Sequence, residues 1–205
     1  MTRPRPAGRN EGAPAGLFCI VLAAGASTRF GSCKQLAEFR GQPLVARAMR
    51  LAEATTGQRS LLVAGNQWSL VADACAPLQG YLVVNPDFAT GLAGSIAAGV
   101  AAVAAGASGV LLLMADQPLV EPEQLRGMVE AWSRNPHSIV ASEYDGVEGP
   151  PVIFPADLFP ELLALKGDSG ARSVLRAHPG RIIRFSCPAA ASDIDTPTDL
   201  ADVDR

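Results

Sequence analysis

The sequence predicts an α/β fold in which helices cover both faces of a mostly parallel sheet. Seven short apolar runs are spread along its 205 residues, and helical patterns separate most of them. The early runs are continuously apolar, which is typical of strands buried on both faces between two layers of helices. The predicted strands span residues 17–23, 59–65, 81–85, 109–115, 138–142, 151–155 and 181–186.

The chain length favours one domain, which we place at residues 17–205. The preceding segment, "MTRPRPAGRNEGAPAG", contains four prolines and four glycines and has almost no apolar content. Such a segment buries too little surface to offset its ordering entropy. Residues 1–16 are therefore predicted to be a disordered tail.

Charge and cysteine usage narrow the class of protein. The formal net charge is −3, and the first sixteen residues carry +2, so the remaining 189 residues carry −5. A negative body argues against a nucleic-acid-binding protein. The cysteines are far apart and form no CxxC pair, and no apolar secretion signal follows the N-terminus, so we expect a reducing, cytoplasmic setting. The four cysteines are Cys19, Cys33, Cys75 and Cys187.

Residues 88–115 contain no charged side chain and are long enough to raise the question of a membrane span. Five glycines and many alanines make the segment only weakly hydrophobic. The sequence "GASG" at 106–109 divides it into a small-residue helix and a strand. We therefore predict no membrane segment here.

The first strand leads into a loop, "AAGASTRFGSCKQL", that combines small residues with two cations, Arg29 and Lys34. Gly25 and Gly31 match neither the dinucleotide fingerprint nor the P-loop. Bare backbone beside cations nevertheless suits a phosphate ligand. The alternative is an ordinary strand-to-helix turn in which both cations are incidental surface residues.

Gly91 and Gly94 precede a predicted Ala-rich helix whose start includes Ser95. The first turn of a helix offers free amides to an anionic ligand. Tight packing that tolerates only glycine and alanine explains the composition equally well.

Two acidic residues are candidate metal ligands. Asp116 follows the apolar run "VLLLMA" and is placed at the carboxyl end of a central strand, where ligands of α/β sheets bind. Mg²⁺ takes one or two protein carboxylates and completes its octahedron with phosphate oxygens and water. The alternative for Asp116 is a turn residue that caps the following amides.

The second candidate lies near the end of the chain, in "SDIDTPTDL". If the segment is a short strand, Asp193 and Asp195 point to opposite faces, so only one can share a site with Asp116. We predict that this residue is Asp195. Thr196 and Pro197 also read as a helix cap and first turn, which is compatible with that assignment.

The segment "GDSGAR" at 167–172 combines helix-capping residues with a cation. Asp168 or Ser169 can cap a helix that begins near Ala171, and Arg172 can bind an anionic group.

Four segments together, "LAAGASTRFGSCKQL", "ADQPL", "GDSGAR" and "DIDTPTDL", resemble the MobA-like NTP transferase family, and most of all its molybdenum cofactor cytidylyltransferases. The resemblance covers roughly residues 17–203. It implies a Rossmann-like, nucleotide-diphospho-sugar transferase-like fold. It also implies Mg²⁺-dependent transfer of a nucleoside monophosphate from an NTP to the terminal phosphate of molybdopterin, with release of pyrophosphate.

The same resemblance assigns roles to individual residues. Lys34, Arg29 and Asp116 would be catalytic, and Asp116 with Asp195 would bind Mg²⁺. The guanylyl branch has glycine where this chain has Ala24, which favours CTP. The implied nucleotide-binding set is Leu22, Ala23, Ala24, Gly25, Arg29, Lys34, Gly94 and Ser95, and the implied acceptor-binding set is Gly149, Asp168 and Arg172.

One departure from the family concerns the acceptor. Where the family often has Gly, a polar residue and Pro before "V-x-F", this chain reads Gly149, Pro150, Pro151 and Val152. The polar side chain and its amide are lost at Pro150, so another phosphorylated acceptor, such as a sugar phosphate or methylerythritol phosphate, stays open. A non-catalytic carrier that delivers cofactor to a molybdoenzyme is the third hypothesis. A molybdoenzyme or its chaperone is the expected protein partner.

Overall fold

A computed structural model describes residues 13–77, 80–168 and 170–204. Residues 1–12 of the predicted tail lie outside the described residues. Residues 13–16 contact the body of the protein, because the Gly16 carbonyl accepts a hydrogen bond of 2.8 Å from the Ser108 amide.

The predicted α/β architecture is confirmed. A seven-stranded sheet has the order β5-β4-β1-β6-β8-β7-β9, and β8 runs antiparallel to both of its neighbours while the other pairs are parallel. Two further short strands, β2 and β3, form a separate hairpin. The strands are β1 (Leu17–Ala23), β2 (Glu38–Phe39), β3 (Gln42–Pro43), β4 (Ser60–Ala64), β5 (Tyr81–Val84), β6 (Gly109–Met114), β7 (Ile139–Tyr144), β8 (Val147–Pro155) and β9 (Ile182–Ser186).

Helices cover both faces of this sheet. The α-helices are α1 (Leu44–Thr56), α2 (Trp68–Ala74), α3 (Leu92–Val103), α4 (Pro122–Arg134), α5 (Phe159–Leu163), α6 (Arg172–Ala177) and α7 (Pro197–Val203). None of the helices in the described ranges combines the length and apolar character that a bilayer crossing needs. The uncharged segment at 88–115 is instead divided between α3 and β6, as the sequence predicts.

Strand β1 shows why the apolar runs are continuous. Cys19 and Val21 belong to the hydrophobic cluster that packs against α1 and α4, whereas Ile20 and Leu22 belong to the cluster that packs against α3 and α5. Successive side chains of a strand point to opposite faces, so a strand covered on both sides must be apolar at every position. All four side chains are at most 4% exposed.

Strands β7 and β8 are longer than the sequence predicts at the ends that the turn between them connects. They join in a hairpin whose two turn residues, Asp145 and Gly146, both have positive φ, as a tight two-residue turn requires. Cross-strand pairing lengthens the strands into residues too polar to read as a buried strand, including Glu143 and Glu148. Tyr144 stands at the end of β7, next to this turn.

The sheet brings the loops after β1 and β6 together. The two strands are parallel neighbours, with Leu22 opposite Met114, so both end at the same edge. β1 pairs with β4 on its other side. The chain therefore continues from β1 through β4 to β5 on one side of β1 and places β6 on the opposite side, so the strand order reverses between β1 and β6. Such a switch point is where open α/β sheets form their ligand crevices.

Candidate functional site

The loop after β1 is fixed by the side chain of Gln35, which is only 5% exposed. Its Nε2 donates to the Gly25 carbonyl at 3.0 Å, and its Oε1 accepts from the Ser27 hydroxyl at 3.1 Å. The Ser27 hydroxyl in turn accepts from the Lys34 amide at 3.1 Å. These bonds hold the two ends of the loop together and fix the backbone from which Lys34 projects.

Gly25 leaves bare backbone on the cavity side of this loop. A side chain built there would have no protein neighbour closer than Gln35 Nε2, at 3.7 Å. The backbone at Gly25 is therefore uncovered because no side chain lies over it, and internal packing does not require glycine here. This space is the feature expected of a loop that lies against a ligand.

The four charged residues predicted from three separate segments meet at one place. Lys34 Nζ donates to Asp116 Oδ2 at 2.7 Å and to Asp195 Oδ1 at 3.2 Å. Arg29 Nη1 lies 2.8 Å from Asp195 Oδ2. The side chains of Lys34 and Asp116 are 13% and 20% exposed, whereas that of Arg29 is 72% exposed. The centre of the cluster is thus largely withdrawn from water, and Arg29 closes it from the solvent side.

The two carboxylates fit a hard divalent cation. Both approach the same position, now taken by the Lys34 ammonium, and Asp116 Oδ1 is buried with no hydrogen-bond partner among the described residues. A buried carboxylate oxygen without a partner is costly, and a bound cation would supply the missing partner. The described residues contain no group of three or more acidic, cysteine or histidine side chains able to hold a metal ion. Two protein carboxylates completed by phosphate and water are the arrangement that Mg²⁺ prefers.

The segment that carries Asp195 differs from the sequence prediction. Residues 192–195 form no strand, and the Ile194 amide donates to the Asp116 carbonyl at 2.9 Å. The assumed short strand is therefore wrong, and of the two residues it is Asp195 whose carboxylate shares the Lys34 ammonium with Asp116. Burial, together with the charges of Asp116 and Asp195, raises the pKa of the Asp193 carboxyl to about 6.

A capping box fixes Asp195 in place. The predicted helix start is confirmed, with Thr196 as the N-cap of α7 and Pro197 as its first residue. Asp199 Oδ2 accepts from the amides of Asp195 at 2.9 Å and Thr196 at 2.7 Å, while Thr196 Oγ1 accepts from the Asp199 amide. The helix cap thus explains Thr196 and Asp199, and it leaves the Asp195 carboxylate free for the cluster.

Asp199→Asn should make the protein less stable at neutral pH, with a difference that disappears in acid. The amides of Asp195 and Thr196 lower the pKa of the Asp199 carboxyl below its ordinary value of 3.8. A lowered pKa in the folded state gives stability that is present above the unfolded value and lost as the pH falls through the folded value. Melting temperatures of both proteins between pH 7 and pH 3 test this. A difference that stays constant over that range would contradict it.

A cavity of about 310 Å³ lies between the β1 loop, the start of α3 and the charged cluster. Its wall includes nine of the thirteen predicted site residues, namely Leu22, Ala24, Gly25, Arg29, Lys34, Ser95, Asp116, Asp168 and Asp195. Ala23 lies outside the wall because it faces the hydrophobic cluster on the opposite side of β1. Gly94 also lies outside the wall, in the first turn of α3 beside Asn85 and Thr90.

The start of α3 is shaped by Gly91. This residue has φ of +115° and ψ of 175°, a conformation essentially restricted to glycine. A side chain there would meet the backbone of Gly167 and come within 2.6 Å of Asp168 Oδ1. The Gly167 carbonyl accepts from the Ala93 amide at 3.1 Å, and Ser95 Oγ accepts from Asn85 Nδ2 at 3.0 Å. The loop that carries Asp168 is therefore docked on the first turn of α3, at the edge of the cavity.

The structure places the predicted acceptor residues in two locations. Asp168 lines the first cavity, whereas Gly149 and Arg172 lie beside Tyr144. A side chain at Gly149 would be 2.5 Å from the Tyr144 hydroxyl and 3.7 Å from Arg172 Nη2. Arg172 also lines a second cavity of about 340 Å³, together with Arg176. Ser169 lies outside the described residues; α6 begins after Ala171, with no side-chain cap among the described residues, so Asp168 does not serve as its cap.

Tyr144 and Gln117 are site residues that the sequence did not reveal. Burial raises the pKa of the Tyr144 hydroxyl, while its interaction with Arg172 lowers it and the nearby Asp193 carboxylate raises it. Gln117 is 4% exposed, and its Nε2 donates to the carbonyls of Pro150 at 3.2 Å and Ala190 at 2.9 Å. It therefore ties the end of β6 to the segment of Pro150 and to that of Ala190. The one sequence feature that could have indicated Gln117 is its position directly after Asp116.

Two curated relatives match nearly the whole chain. The purine catabolism protein PucB of Bacillus subtilis is 30% identical over 92% of this chain and 96% of its own length. The nicotine blue oxidoreductase of Paenarthrobacter nicotinovorans is 30% identical over 86% of this chain and 91% of its own length. Their names come from different areas of metabolism, so neither name fixes the reaction of this chain.

A solved structure and a family model agree on the fold. Rv0371c of Mycobacterium tuberculosis H37Rv, solved as a complex with manganese, superposes with a TM-score of 0.76 at 27% identity, covering 92% of this chain and 97% of that one. The model of the MobA-like NTP transferase domain matches residues 19–182, which include the β1 loop, Asp116 and Arg172. The chain therefore belongs to the family of MobA-like NTP transferase domains.

Proposed function

We propose that the protein transfers CMP from CTP to the terminal phosphate of molybdopterin and releases pyrophosphate, with Mg²⁺ as the divalent cation. The observation that carries the proposal is the meeting of Asp116 and Asp195 with Lys34 in a cavity whose wall also includes the bare backbone at Gly25. Two carboxylates for a cation and two cations for phosphates are what nucleotidyl transfer requires. A carrier needs to bind nucleotide or cofactor but has no need for paired metal carboxylates.

The choice of CTP rests on Ala24. The residue lines the cavity and is 4% exposed. In the guanylyl branch that the sequence resembles, glycine stands at this position and leaves more room for the base. The methyl group of Ala24 leaves less room for the base, which favours the smaller pyrimidine.

The chemistry needs no protein base. A phosphate monoester has a second pKa near 6, so the acceptor is largely dianionic at neutral pH. One of its oxygens forms a bond to the α-phosphorus of CTP, and the bond from that phosphorus to the bridging oxygen of the pyrophosphate breaks. Lys34 and Arg29 neutralise the charge that the leaving pyrophosphate gains. When bound by Asp116 and Asp195, a divalent cation supplies further charge neutralisation and orientation; the manganese complex of Rv0371c supports a divalent ion in this fold.

The acceptor is assigned to the side of the site that Gln117, Tyr144 and Arg172 form. Gln117 connects the metal-binding end of β6 with the Pro150 carbonyl, and Tyr144 connects Gly149 with Arg172. These contacts run from the charged cluster to the second cavity. Arg172 lines that cavity, and the Tyr144 hydroxyl lies beside it, so these are the polar groups proposed to bind the acceptor in place of the side chain lost at Pro150.

Tyr144→Phe should raise the KM for the acceptor about fivefold and leave the KM for CTP unchanged, because one hydroxyl contact is worth about 1 kcal/mol. Steady-state rates with each substrate varied in turn measure both constants. Tyr81→Phe is the matched control, since Tyr81 lies on the edge strand β5 and is 61% exposed. Equal effects of both substitutions, or a change in the KM for CTP, would contradict the assignment of Tyr144.

The reaction is tested by pyrophosphate release from each of the four NTPs, with and without molybdopterin. We expect release with CTP only when molybdopterin is present. Release with GTP would instead indicate guanylyl transfer, and release with CTP and a sugar phosphate or methylerythritol phosphate would identify another acceptor. Binding of nucleotide with no release from any pair would favour the carrier. The product would pass to a molybdoenzyme or its chaperone in the cytoplasm, a setting with which the four free cysteines agree.

A further inference from the structure

We propose that the second cavity is a binding site for a phosphate or carboxylate group, which Arg172 and Arg176 of α6 hold between them. The site adjoins the proposed acceptor side, but it does not depend on which nucleotide or acceptor reacts. Its ligand is either an anionic group of the acceptor or a small free anion, and the two arginines recognise both by the same chemistry.

The second cavity concentrates arginine side chains in a protein whose net charge is negative. Arg172 and Arg176 line it from α6, and Arg184 lines it from the edge strand β9. The wall that faces them belongs to the β7–β8 hairpin and includes Glu143 and Glu148. The volume of about 340 Å³ is large enough for a small organic molecule.

The two glutamates of the cavity are both turned toward Arg184. Arg184 Nη2 lies 2.7 Å from Glu148 Oε1, and Arg184 Nε lies 3.9 Å from Glu143 Oε1. Arg184 therefore offsets the negative charge of the hairpin wall. The positive charges of Arg172 and Arg176 are left to attract a ligand.

Arg176 pairs with no acidic side chain of the described residues. Other surface arginines do have such partners, since Arg126, Arg134 and Arg181 each lie beside a carboxylate. Arg176 also follows Arg172 by one helical turn, and like charges at this spacing repel each other. A bound anion would remove this repulsion and supply the missing partner.

The guanidinium group fits an oxyanion better than it fits an uncharged ligand. It presents five N–H donors in a planar fork, which can donate two parallel hydrogen bonds to a phosphate or a carboxylate. Arg172 also interacts with the Tyr144 hydroxyl, and the number of its donors allows it to hold Tyr144 and an anion together. Arg176 adds a second fork from the same face of α6.

The test is the rate at which phenylglyoxal modifies each arginine of the full chain, read by mass spectrometry. The rates are compared in inorganic phosphate and in chloride at equal ionic strength, so that screening is the same in both. Phosphate should slow the modification of Arg172 and Arg176 about fivefold or more, with saturation. Arg126 and Arg134, the internal controls, should change less than about twofold. Equal slowing of all these arginines, or of none, would overturn the inference.

Arg176→Met tests whether the two arginines act together. Methionine keeps an unbranched apolar stem but has no fork, so phosphate should protect Arg172 with an affinity about tenfold lower. Arg134→Met is the matched control and should leave the protection of Arg172 unchanged. Full protection of Arg172 in an Arg176→Met protein that melts like the unmodified one would overturn the inference.

A third variant separates this site from the reaction centre. Lys34→Met removes a cation that the proposed function assigns to phosphate, so protection of Arg172 and Arg176 should persist in it. Loss of that protection would mean that the anion binds at the reaction centre, and the inference would fail. Absence of pyrophosphate release from every NTP would contradict the proposed function alone.

The source of the anion is identified by adding molybdopterin to the same experiment. If molybdopterin itself protects Arg176 and phosphate competes with it, the site holds a group of the acceptor. If phosphate still protects Arg176 when molybdopterin is bound, the site takes a free anion. Either result supports a site at Arg172 and Arg176, whereas full exposure of Arg176 under both conditions would overturn it.

Discussion

Asp116→Asn should lower the rate of CMP transfer about 100-fold or more while the protein stays folded, as losses of metal-positioning groups commonly do. Asp116 Oδ2 is bonded to Lys34, and its Oδ1 is buried without a partner among the described residues. Asparagine keeps the shape of the side chain but offers the cation only one neutral oxygen. The carboxylate of Asp116 accepts no bond from a backbone amide of the described residues, so the turn-capping alternative has no support in the geometry.

Pyrophosphate release and thermal melting, measured on the same preparation, test this expectation. Asp73→Asn is the matched control, because Asp73 is exposed on α2 and lies outside the cavity wall. If the turnover of Asp116→Asn stays within about threefold of that of the control, the assignment of Asp116 to the metal site is contradicted. A melting temperature that collapses would mean that the side chain serves the fold instead.

Gly91→Ala should produce the largest loss of stability among the single substitutions considered. The backbone conformation of Gly91 costs other residues about 1–3 kcal/mol, and the new methyl group would displace the backbone at Gly167, at a similar further cost. For a chain of this size these costs correspond to a melting temperature lower by about 5 °C or more. Because the 167–168 loop would move away from α3, nucleotide affinity should fall as well.

Gly94→Ala provides the comparison within the same helix. Gly94 has ordinary helical geometry, and a side chain there would meet nothing closer than Asn85 Nδ2 at 3.5 Å. Alanine is the better helix former, so stability should stay the same or rise by about 0.5–1 kcal/mol. Loss of CTP affinity without loss of stability in this variant would support the predicted nucleotide-binding role of Gly94. Equal melting temperatures of the two variants would contradict the argument for Gly91.

The sequence predicted the sheet well because its strands have both faces buried, and such strands leave an unbroken apolar run. The strand ends then predicted that the β1 loop with Lys34 meets Asp116, since the carboxyl ends of parallel neighbours share one edge. Asp195 was added to this site by the family resemblance. Strand β8 left no unbroken apolar run in its first half, because the residues there that pair with β7 are polar or exposed. Its antiparallel direction was therefore not predicted.

Side chains placed by irregular backbone were the ones that sequence patterns could not assign. Asp193 was expected on a strand face, but residues 192–195 are held by the bond from Ile194 to Asp116 and by the capping box, neither of which follows a period of two. Tyr144 comes to Gly149 and Arg172 only through the hairpin pairing of β7 with β8. For Asp193 long-range contacts decide the position, whereas the Asp145-Gly146 turn beside Tyr144 is a local hairpin signal that was not used.

A small hydrophobic cluster has a consequence for how the protein responds to stress. Phe39, Leu44 and Ile194 form a cluster apart from the two large ones, with Phe30 and Leu119 packed against it. It joins three segments: the first carries Arg29 and Lys34, the second Asp116 and the third Asp195. The cluster contains few side chains. Cooperative units with few buried contacts open at lower free energy than the core. These three segments should therefore unfold together in mild heat or denaturant, while the central sheet stays folded.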